Sequence, residues 1–136
     1  SKLIARDGEG ATKLIEVTVT NAKNKEQARK MALNVVNSPL VKTAIAGADP
    51  NWGRIIAAAG KDPSLALDLE TLEVHMAGIL VLKRGKIQAF KRETLCKKLR
   101  EKDVRIFLDI KQGKGTARAW GCDLTCGYVE INTEYS

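Results

Sequence analysis

A glycine-flanked carboxylate near the start of the chain is the first group that could do chemistry. Glu9 lies between Gly8 and Gly10, just before residues whose pattern is that of a strand. Glycines let a backbone approach a ligand closely, and loops on a rigid scaffold carry many binding residues. A solvated acidic turn explains the same pattern equally well. The residue types alone leave both interpretations open.

A second candidate is the run of residues 49–54, which contains Asp49, Asn51, Trp52 and Arg54. Its proline favours a turn, and the asparagine can cap the helix that follows. The arginine could hold a carboxylate, since a guanidinium pairs well with that group. Equally, the run could be a structural corner that buries the tryptophan.

Other chemistry is disfavoured. His75 is the only histidine, lies inside a predicted strand and has no nucleophile signature nearby, so catalysis by it is not expected. The chain has three cysteines, and three residues separate Cys122 from Cys126, which favours free thiols over a metal site. Residues 113–116 lack the full phosphate-loop pattern, and a hairpin turn explains them better.

Composition is that of one globular domain covering residues 1–136, with 44% hydrophobic and 29% charged residues. The net charge of +7 is spread along the chain, which favours a solvated basic surface. A small RNA-binding α/β module is the alternative, weakened by an aromatic content of only 4%. No apolar run is long enough to span a bilayer, and the first residues do not resemble an export signal.

Hydrophobic periodicity divides the chain into strands and helices. Ile15, Val17 and Val19 alternate with polar residues, which predicts a strand. Asn24 can cap the following helix, which should end before Pro39. The later pattern predicts two short helices between residues 40 and 60, a hairpin over 72–88, a helix over 94–101, and a second hairpin of strands at 104–110 and 116–120. This order indicates an α/β (α+β) fold with mixed, mainly antiparallel strands layered with helices.

Four runs of residues, in this order, resemble the ornithine acetyltransferase family, also called the bifunctional glutamate N-acetyltransferase family. They are Arg6-Asp7-Gly8-Glu9-Gly10-Ala11-Thr12-Lys13, Asn37-Ser38-Pro39-Leu40-Val41-Lys42-Thr43-Ala44, Gly47-Ala48-Asp49-Pro50-Asn51-Trp52-Gly53-Arg54, and Asp123-Leu124-Thr125 with Tyr128-Val129, Ile131 and Asn132. The resemblance covers nearly the whole chain and is weakest over residues 61–103.

The resemblance implies an N-terminal-nucleophile-type α/β acetyltransferase made as a self-cleaving precursor, with residues 1–136 as the C-terminal part of its β chain. The new N-terminal threonine of the β chain would take acetyl from N-acetylornithine and deliver it to glutamate in arginine biosynthesis. No cofactor is implied. An additional amino-acid N-acetyltransferase activity, with acetyl-CoA as donor, is left open.

The same resemblance assigns roles within this chain. Glu9 matches the glutamate that binds the amino group of the substrate, and Asn132 matches an asparagine that helps to close the site. The family's cleavage motif and threonine do not occur here, Ser1 lacks that context and the role of Ser136 is open, so no catalytic residue is expected in this chain and it should be inactive alone. The implied partners are the α chain and the rest of the β chain in an α2β2 assembly, without nucleic acid or membrane. The expected location is the cytoplasm, or a mitochondrion or plastid in a eukaryote.

Overall fold

A computed structural model describes residues 13–123 and 130–131 of the chain, which form one sheet and a layer of helices. The strands are β1 (Leu14–Ala22), β2 (Glu73–Met76), β3 (Ile79–Lys83), β4 (Lys86–Ile87), β5 (Asp103–Asp109), β6 (Gly115–Cys122) and β7 (Glu130–Ile131). The α-helices are α1 (Lys25–Val36), α2 (Pro39–Ala46), α3 (Trp52–Ala59) and α4 (Arg92–Leu99). Within these described ranges, every helix is too short or too polar to cross a bilayer.

The strand order across the sheet is β4-β3-β2-β5-β1-β6-β7. The β1–β5 pair is parallel, and each of the other neighbouring pairs is antiparallel. This arrangement confirms the predicted mixed, mainly antiparallel α/β fold. It also places the first strand of the described chain in the interior of the sheet, between β5 and β6, two strands from the last third of the sequence.

One face of β1 and β6 is covered by α1. Ile15, Val17 and Val19 of β1 are fully buried in the main hydrophobic core, as their alternation predicts. α1 packs across β1 and β6 and contributes its own buried face. The Asn24 side chain caps this helix by accepting a hydrogen bond of 2.8 Å from the backbone N–H of Gln27. The predicted strand, cap and helix are therefore confirmed.

The two short helices and the first hairpin also form as predicted. Ser38 caps α2, with Pro39 as its first residue, and Asn51 caps α3 through a 3.1 Å bond from the backbone N–H of Arg54. β2, β3 and β4 form an antiparallel meander. α4 begins two residues before the predicted start and buries Leu95 and Leu99.

The prediction of a second hairpin is wrong. β5 and β6 do not pair with each other, because β1 lies between them and pairs with both. The connection at residues 110–114 therefore crosses the end of β1. A Cβ atom on Gly113 would lie 2.7 Å from the carbonyl oxygen of Ala22, and one on Gly115 would lie 2.9 Å from the Cα of Asn24. The sequence pattern of these glycines favours a hairpin turn. In the structure they lie where two backbones cross closely, a position that also favours glycine.

An ion cluster holds the end of the sheet where β1 and β5 finish. Lys111 Nζ lies 3.2 Å from Glu73 Oε2 and 3.5 Å from Asp109 Oδ2. The Asn21 side chain donates a 3.0 Å hydrogen bond to the other oxygen of Asp109. These contacts are roughly 20 Å along β1 from its first residue, at about 3.3 Å per residue.

Candidate functional site

The start of β1 and the end of β6 are joined by two reciprocal hydrogen bonds. The backbone N–H of Lys13 donates to Asp123 Oδ1 over 2.7 Å, and the backbone N–H of Asp123 donates to the Lys13 carbonyl over 3.2 Å. Asp123 is buried, with 7% of its surface exposed. Both residues belong to the runs that carry the family resemblance. The join therefore links the first and the last of those runs.

The Lys13 side chain extends the join to the helix layer. Its ammonium donates to the carbonyl oxygen of Ile45 over 2.8 Å and to that of Leu99 over 2.7 Å. Ile45 lies in the last turn of α2, and Leu99 is the last residue of α4. Carbonyls in the last turn of a helix lack partners within the helix, and the helix dipole favours a cation there. We call the group formed by Lys13, Asp123 and these two carbonyls the Lys13 corner.

Burial changes the electrostatics of this corner. It lowers the pKa of Lys13 below its ordinary value of 10.5, with a smaller lowering contribution from the charge of Arg100. The Asp123 carboxylate acts in the opposite direction and favours the ammonium. The direction of the shift indicates that desolvation is the largest effect. The hydrogen bonds to two carbonyls offset part of the cost of burying this cation.

The substrate-binding residues predicted from the sequence, Glu9 and Asn132, lie outside the described residues, and their roles remain predictions. The structure does place the points from which these segments depart. Lys13 is four residues after Glu9, at the start of β1. Ile131 directly precedes Asn132 and pairs with Ala119 of β6. The segment with Glu9 is therefore joined to the start of β1, and Asn132 directly follows β7. These two strands are separated in the sheet only by β6.

The run of residues 49–54 forms the bend before α3 and its first turn. Trp52 is half-buried and packs against the main core, as expected for a structural corner. Arg54 Nη1 donates a 3.0 Å hydrogen bond to the carbonyl of Leu40, at the start of α2. Asp49 forms an exposed ion pair of 3.7 Å with Arg92. These contacts support the structural interpretation of the run.

A cleft of about 490 Å³ opens between α1, α2 and α3. Pro39 and Ala57 contribute apolar surface to its lining, together with the polar side chains Asn34, Arg54 and Lys61. The cleft lies at the N-terminal end of α2, whereas the Lys13 corner lies at its C-terminal end. At 1.5 Å rise per residue, these eight residues separate the two features by about 12 Å.

His75 lies on β2, away from the Lys13 corner, whereas Cys122 directly precedes Asp123 and pairs with Leu14 on β1. The ring of His75 packs edge-on against Phe107, with the ring centroids 5.4 Å apart. Its Nδ1 atom is buried and has no hydrogen-bond partner within the described residues. Cys96 on α4 carries a free thiol, Cys122 is buried, and Cys126 lies outside the described ranges.

Sequence reasoning missed the contacts of Lys13. They join residues 32, 86 and 110 positions apart, a distance over which periodicity and turn signals carry no information. A signal did exist, because Lys13 ends the first run of the resemblance and Asp123 begins the last. Their shared position at run boundaries is consistent with a place where the segments meet.

Comparison with known proteins gives consistent results. The whole chain, residues 1–136, matches the ArgJ family. A Bacillus cereus relative named "Arginine biosynthesis bifunctional protein ArgJ" is 47% identical over 135 residues, which cover 99% of this chain and 33% of the relative. A Methanosarcina mazei relative named "Glutamate N-acetyltransferase" is 48% identical over 141 residues, covering 100% of this chain and 35% of the relative.

The crystal structure of the Arginine biosynthesis bifunctional protein argJ from Bacillus halodurans has a similar fold. Its TM-score is 0.84 at 50% sequence identity, over 91% of this chain and 58% of that one. This chain spans about a third of the length of the curated relatives described above. The match over every residue and the high identity leave one conclusion, that the chain belongs to the ArgJ family.

Proposed function

We propose that this chain is the C-terminal part of the β chain of an acetyltransferase that moves acetyl from N-acetylornithine to glutamate. The observation that carries the proposal is the match of residues 1–136 to the ArgJ family. The names of the relatives refer to arginine biosynthesis and to glutamate N-acetyltransferase. The proposal concerns the whole protein, of which this chain would supply one domain.

The proposed chemistry is acyl transfer through a threonine ester. The hydroxyl of a threonine outside this chain attacks the acetyl carbonyl of N-acetylornithine, the C–N bond breaks, and the hydroxyl proton passes to the departing nitrogen of ornithine. The amino group of glutamate then attacks the ester carbonyl, which yields N-acetylglutamate and returns the proton to the threonine hydroxyl. The free α-amino group of the threonine serves as general base in both steps.

In this scheme the chain supplies substrate contacts. Glu9 binds the substrate ammonium, and Asn132 helps to close the site. Chain connectivity is compatible with one site for both. From the strand spacing, Lys13 and Ile131 are roughly 16 Å apart, and the four-residue step back to Glu9 spans at most about 14 Å. A small substrate can therefore contact both side chains.

The proposed assembly follows from the same scheme. The α chain and the remainder of the β chain complete the active site, two copies of each form an α2β2 protein, and the site works in the cytoplasm or in an organelle of a eukaryote. No nucleic acid or membrane takes part. The basic surface is solvated in this proposal, so RNA retained on a filter at moderate salt would contradict it.

The test is the Glu9→Gln variant of the complete protein. Glutamine keeps the size of the side chain and loses its charge. A hydrogen bond to a charged group contributes about 1.5–3 kcal/mol, so we expect kcat/KM for N-acetylornithine to fall by about 10- to 150-fold. Activity would be measured as the appearance of N-acetylglutamate.

The matched control is Glu70→Gln, because Glu70 is exposed and lies near the opposite end of the sheet. It should keep full activity. Self-cleavage should be normal in both variants, as shown by the sizes of the two chains after denaturing electrophoresis. A cleaved Glu9→Gln protein with unchanged kinetics would refute the role of Glu9 in substrate binding.

A further inference from the structure

The cleft between α1, α2 and α3 carries positive charge without a compensating acid. Arg54 and Lys61 line it, and no aspartate or glutamate is among the described residues of its lining. We propose that this cleft binds a small aliphatic dicarboxylate, with one carboxylate on Arg54 and the other on Lys61. The site goes beyond the proposed acyl transfer, which gives the cleft no role.

Four lining residues form one face of α3 and of the turn that follows it. They are Arg54, Ala57, Ala58 and Lys61. Residues three, four and seven positions after the first lie on the same side of a helix. The turn continues this geometry, because the backbone N–H of Lys61 donates to the carbonyl of Ala58 over 3.4 Å. The backbones of the two cations are therefore about 10 Å apart at 1.5 Å per residue, with an alanine surface between them.

The guanidinium of Arg54 is oriented by one bond and keeps donors for a ligand. Its Nη1 donates to the carbonyl of Leu40 over 3.0 Å, the one hydrogen bond of this guanidinium within the described part of the chain. The Nη2 and Nε atoms also carry N–H groups, and a carboxylate can pair with two such nitrogens at once. Arg54 is half-buried, so an ion pair formed here is less exposed to water than one on the open surface.

Lys61 supplies the second cation. Its side chain is exposed and forms no ion pair with any residue that the structure describes. The neighbouring carboxylate of Asp62 is engaged by Ser64, whose backbone N–H and hydroxyl donate to Asp62 Oδ1 over 3.0 and 2.8 Å. The Lys61 ammonium can therefore pair with a carboxylate that enters the cleft.

The remaining lining favours an aliphatic body between the two carboxylates. Pro39 and Leu40 contribute apolar surface at the start of α2, in addition to the two alanines of α3, and 60% of Leu40 is exposed. The amide of Asn34 adds a hydrogen-bonding group without charge. The volume of about 490 Å³ lies within the range of roughly 300–1,000 Å³ that is usual for small-molecule sites. A short methylene chain can contact the apolar residues while its ends reach the cations.

Equilibrium dialysis of the complete protein against radiolabelled glutarate tests the proposal. Glutarate has two carboxylates on a short aliphatic chain and no amino group, and butyrate is the comparison with one carboxylate. We expect saturable binding of glutarate and about 2- to 5-fold weaker binding of butyrate, because an exposed ion pair such as that of Lys61 contributes little.

The variants distinguish the two cations. Arg54→Gln should weaken glutarate binding by at least about 10-fold, because it removes a charge-assisted pair from a half-buried position. Lys61→Gln should weaken it by about 2- to 5-fold and should make the affinities for glutarate and butyrate equal. Ala57→Leu fills the cleft without changing its charge or the bond from Arg54 to Leu40, so it should abolish binding even if Arg54→Gln does not fold.

The matched control is Arg105→Gln, which removes one positive charge far from the cleft. Arg105 is exposed and alternates along β5 with the buried core residues Val104 and Ile106, so it lies on the face of the sheet away from the helices. Its substitution should leave glutarate binding unchanged.

The outcomes decide the proposal without reference to acyl transfer, because binding is measured directly. Glutarate binding that is lost in Ala57→Leu, weakened in Arg54→Gln and kept in Arg105→Gln supports the site. Absence of saturable binding, or equal affinity in the wild type and in the cleft variants, overturns it and leaves the proposed function untouched. Equal affinity of the wild type for glutarate and butyrate overturns the contact with Lys61 and the dicarboxylate class.

Discussion

The crossing of the β5–β6 connection over the end of β1 can be tested with Gly115→Ala. The added methyl group would lie 2.9 Å from the Cα of Asn24 and closer still to its carbonyl group. All of these are backbone atoms, so no side chain can move aside. Asn24 is also the N-cap of α1, and its carbonyl accepts the backbone N–H of Ala28 over 3.2 Å. Relief of the clash therefore has to disturb the start of α1.

The expected cost has two parts. Forcing an additional methyl group into a packed region costs about 1–3 kcal/mol, and loss of a helix cap costs about 1 kcal/mol. We therefore expect Gly115→Ala to lower the free energy of unfolding by about 2–4 kcal/mol. With a urea slope of about 2 kcal/mol per molar, the unfolding midpoint should fall by roughly 1–2 M.

Urea unfolding of the 136-residue chain, followed by tryptophan fluorescence, provides the assay. One of its two tryptophans, Trp120, lies in the same strand as Gly115 and so reports on β6 directly. Gly47→Ala is the matched control, because its methyl group would lie 3.6 Å from the carbonyl oxygen of Thr43, at an ordinary contact distance. An unchanged midpoint for Gly115→Ala would show that β6 and α1 do not approach each other as described.

Two further predictions concern charge and capping. Burial lowers the pKa of Lys13, whereas hydrogen bonding to Glu73 and the charges of Asp109 and Glu73 raise the pKa of Lys111, so a side-chain NMR titration should deprotonate Lys13 first. The unfolded chain binds more protons at position 13 than the folded chain does, so the contribution of Lys13 to the free energy of unfolding should grow as pH rises towards 10.5. The contribution of Lys111 should be lost as pH rises above 10.5. Deprotonation of Lys111 before Lys13 would contradict both environments. Asn24→Ala should cost about 1 kcal/mol in the same urea assay, and a cost near zero would contradict the capping bond.

Local signals predicted most of the elements. The alternation of Ile15, Val17 and Val19 predicted strand β1, and Asn24 predicted the start of α1. Both predictions succeeded because these signals depend only on neighbouring residues. The prediction of a second hairpin, between β5 and β6, was wrong for a physical reason. Gly113 and Gly115 suit a tight turn, yet they are also needed where two backbones touch, and the partner that decides between these uses lies about 90 residues away.

In the candidate site, too, local sequence signals have to be distinguished from contacts between distant residues. The substrate-binding role of Glu9 rests on its flanking glycines and on the resemblance and remains a prediction, whereas the contacts of Lys13 with Asp123, Ile45 and Leu99 depend on pairings between distant parts of the chain. A lysine before a strand has the same sequence pattern whether its ammonium faces water or binds two helix ends. Arg54 shows the converse, since its residue type suited a carboxylate and its guanidinium bonds the carbonyl of Leu40.

The position of β1 between two strands that come much later in the sequence has a consequence for folding during synthesis on the ribosome. Roughly 80 residues separate the end of β1 from the start of β5, its first neighbour in the finished sheet. At a synthesis rate of about 5–20 residues per second, about 4–16 s pass before β5 is made, and during this time neither β5 nor β6 is available to pair with β1. Unpaired apolar strands are templates for aggregation. Until β5 emerges, α1 is the nearest following segment that can cover Ile15, Val17 and Val19, so we expect this helix to dock on β1 early and to protect the nascent chain.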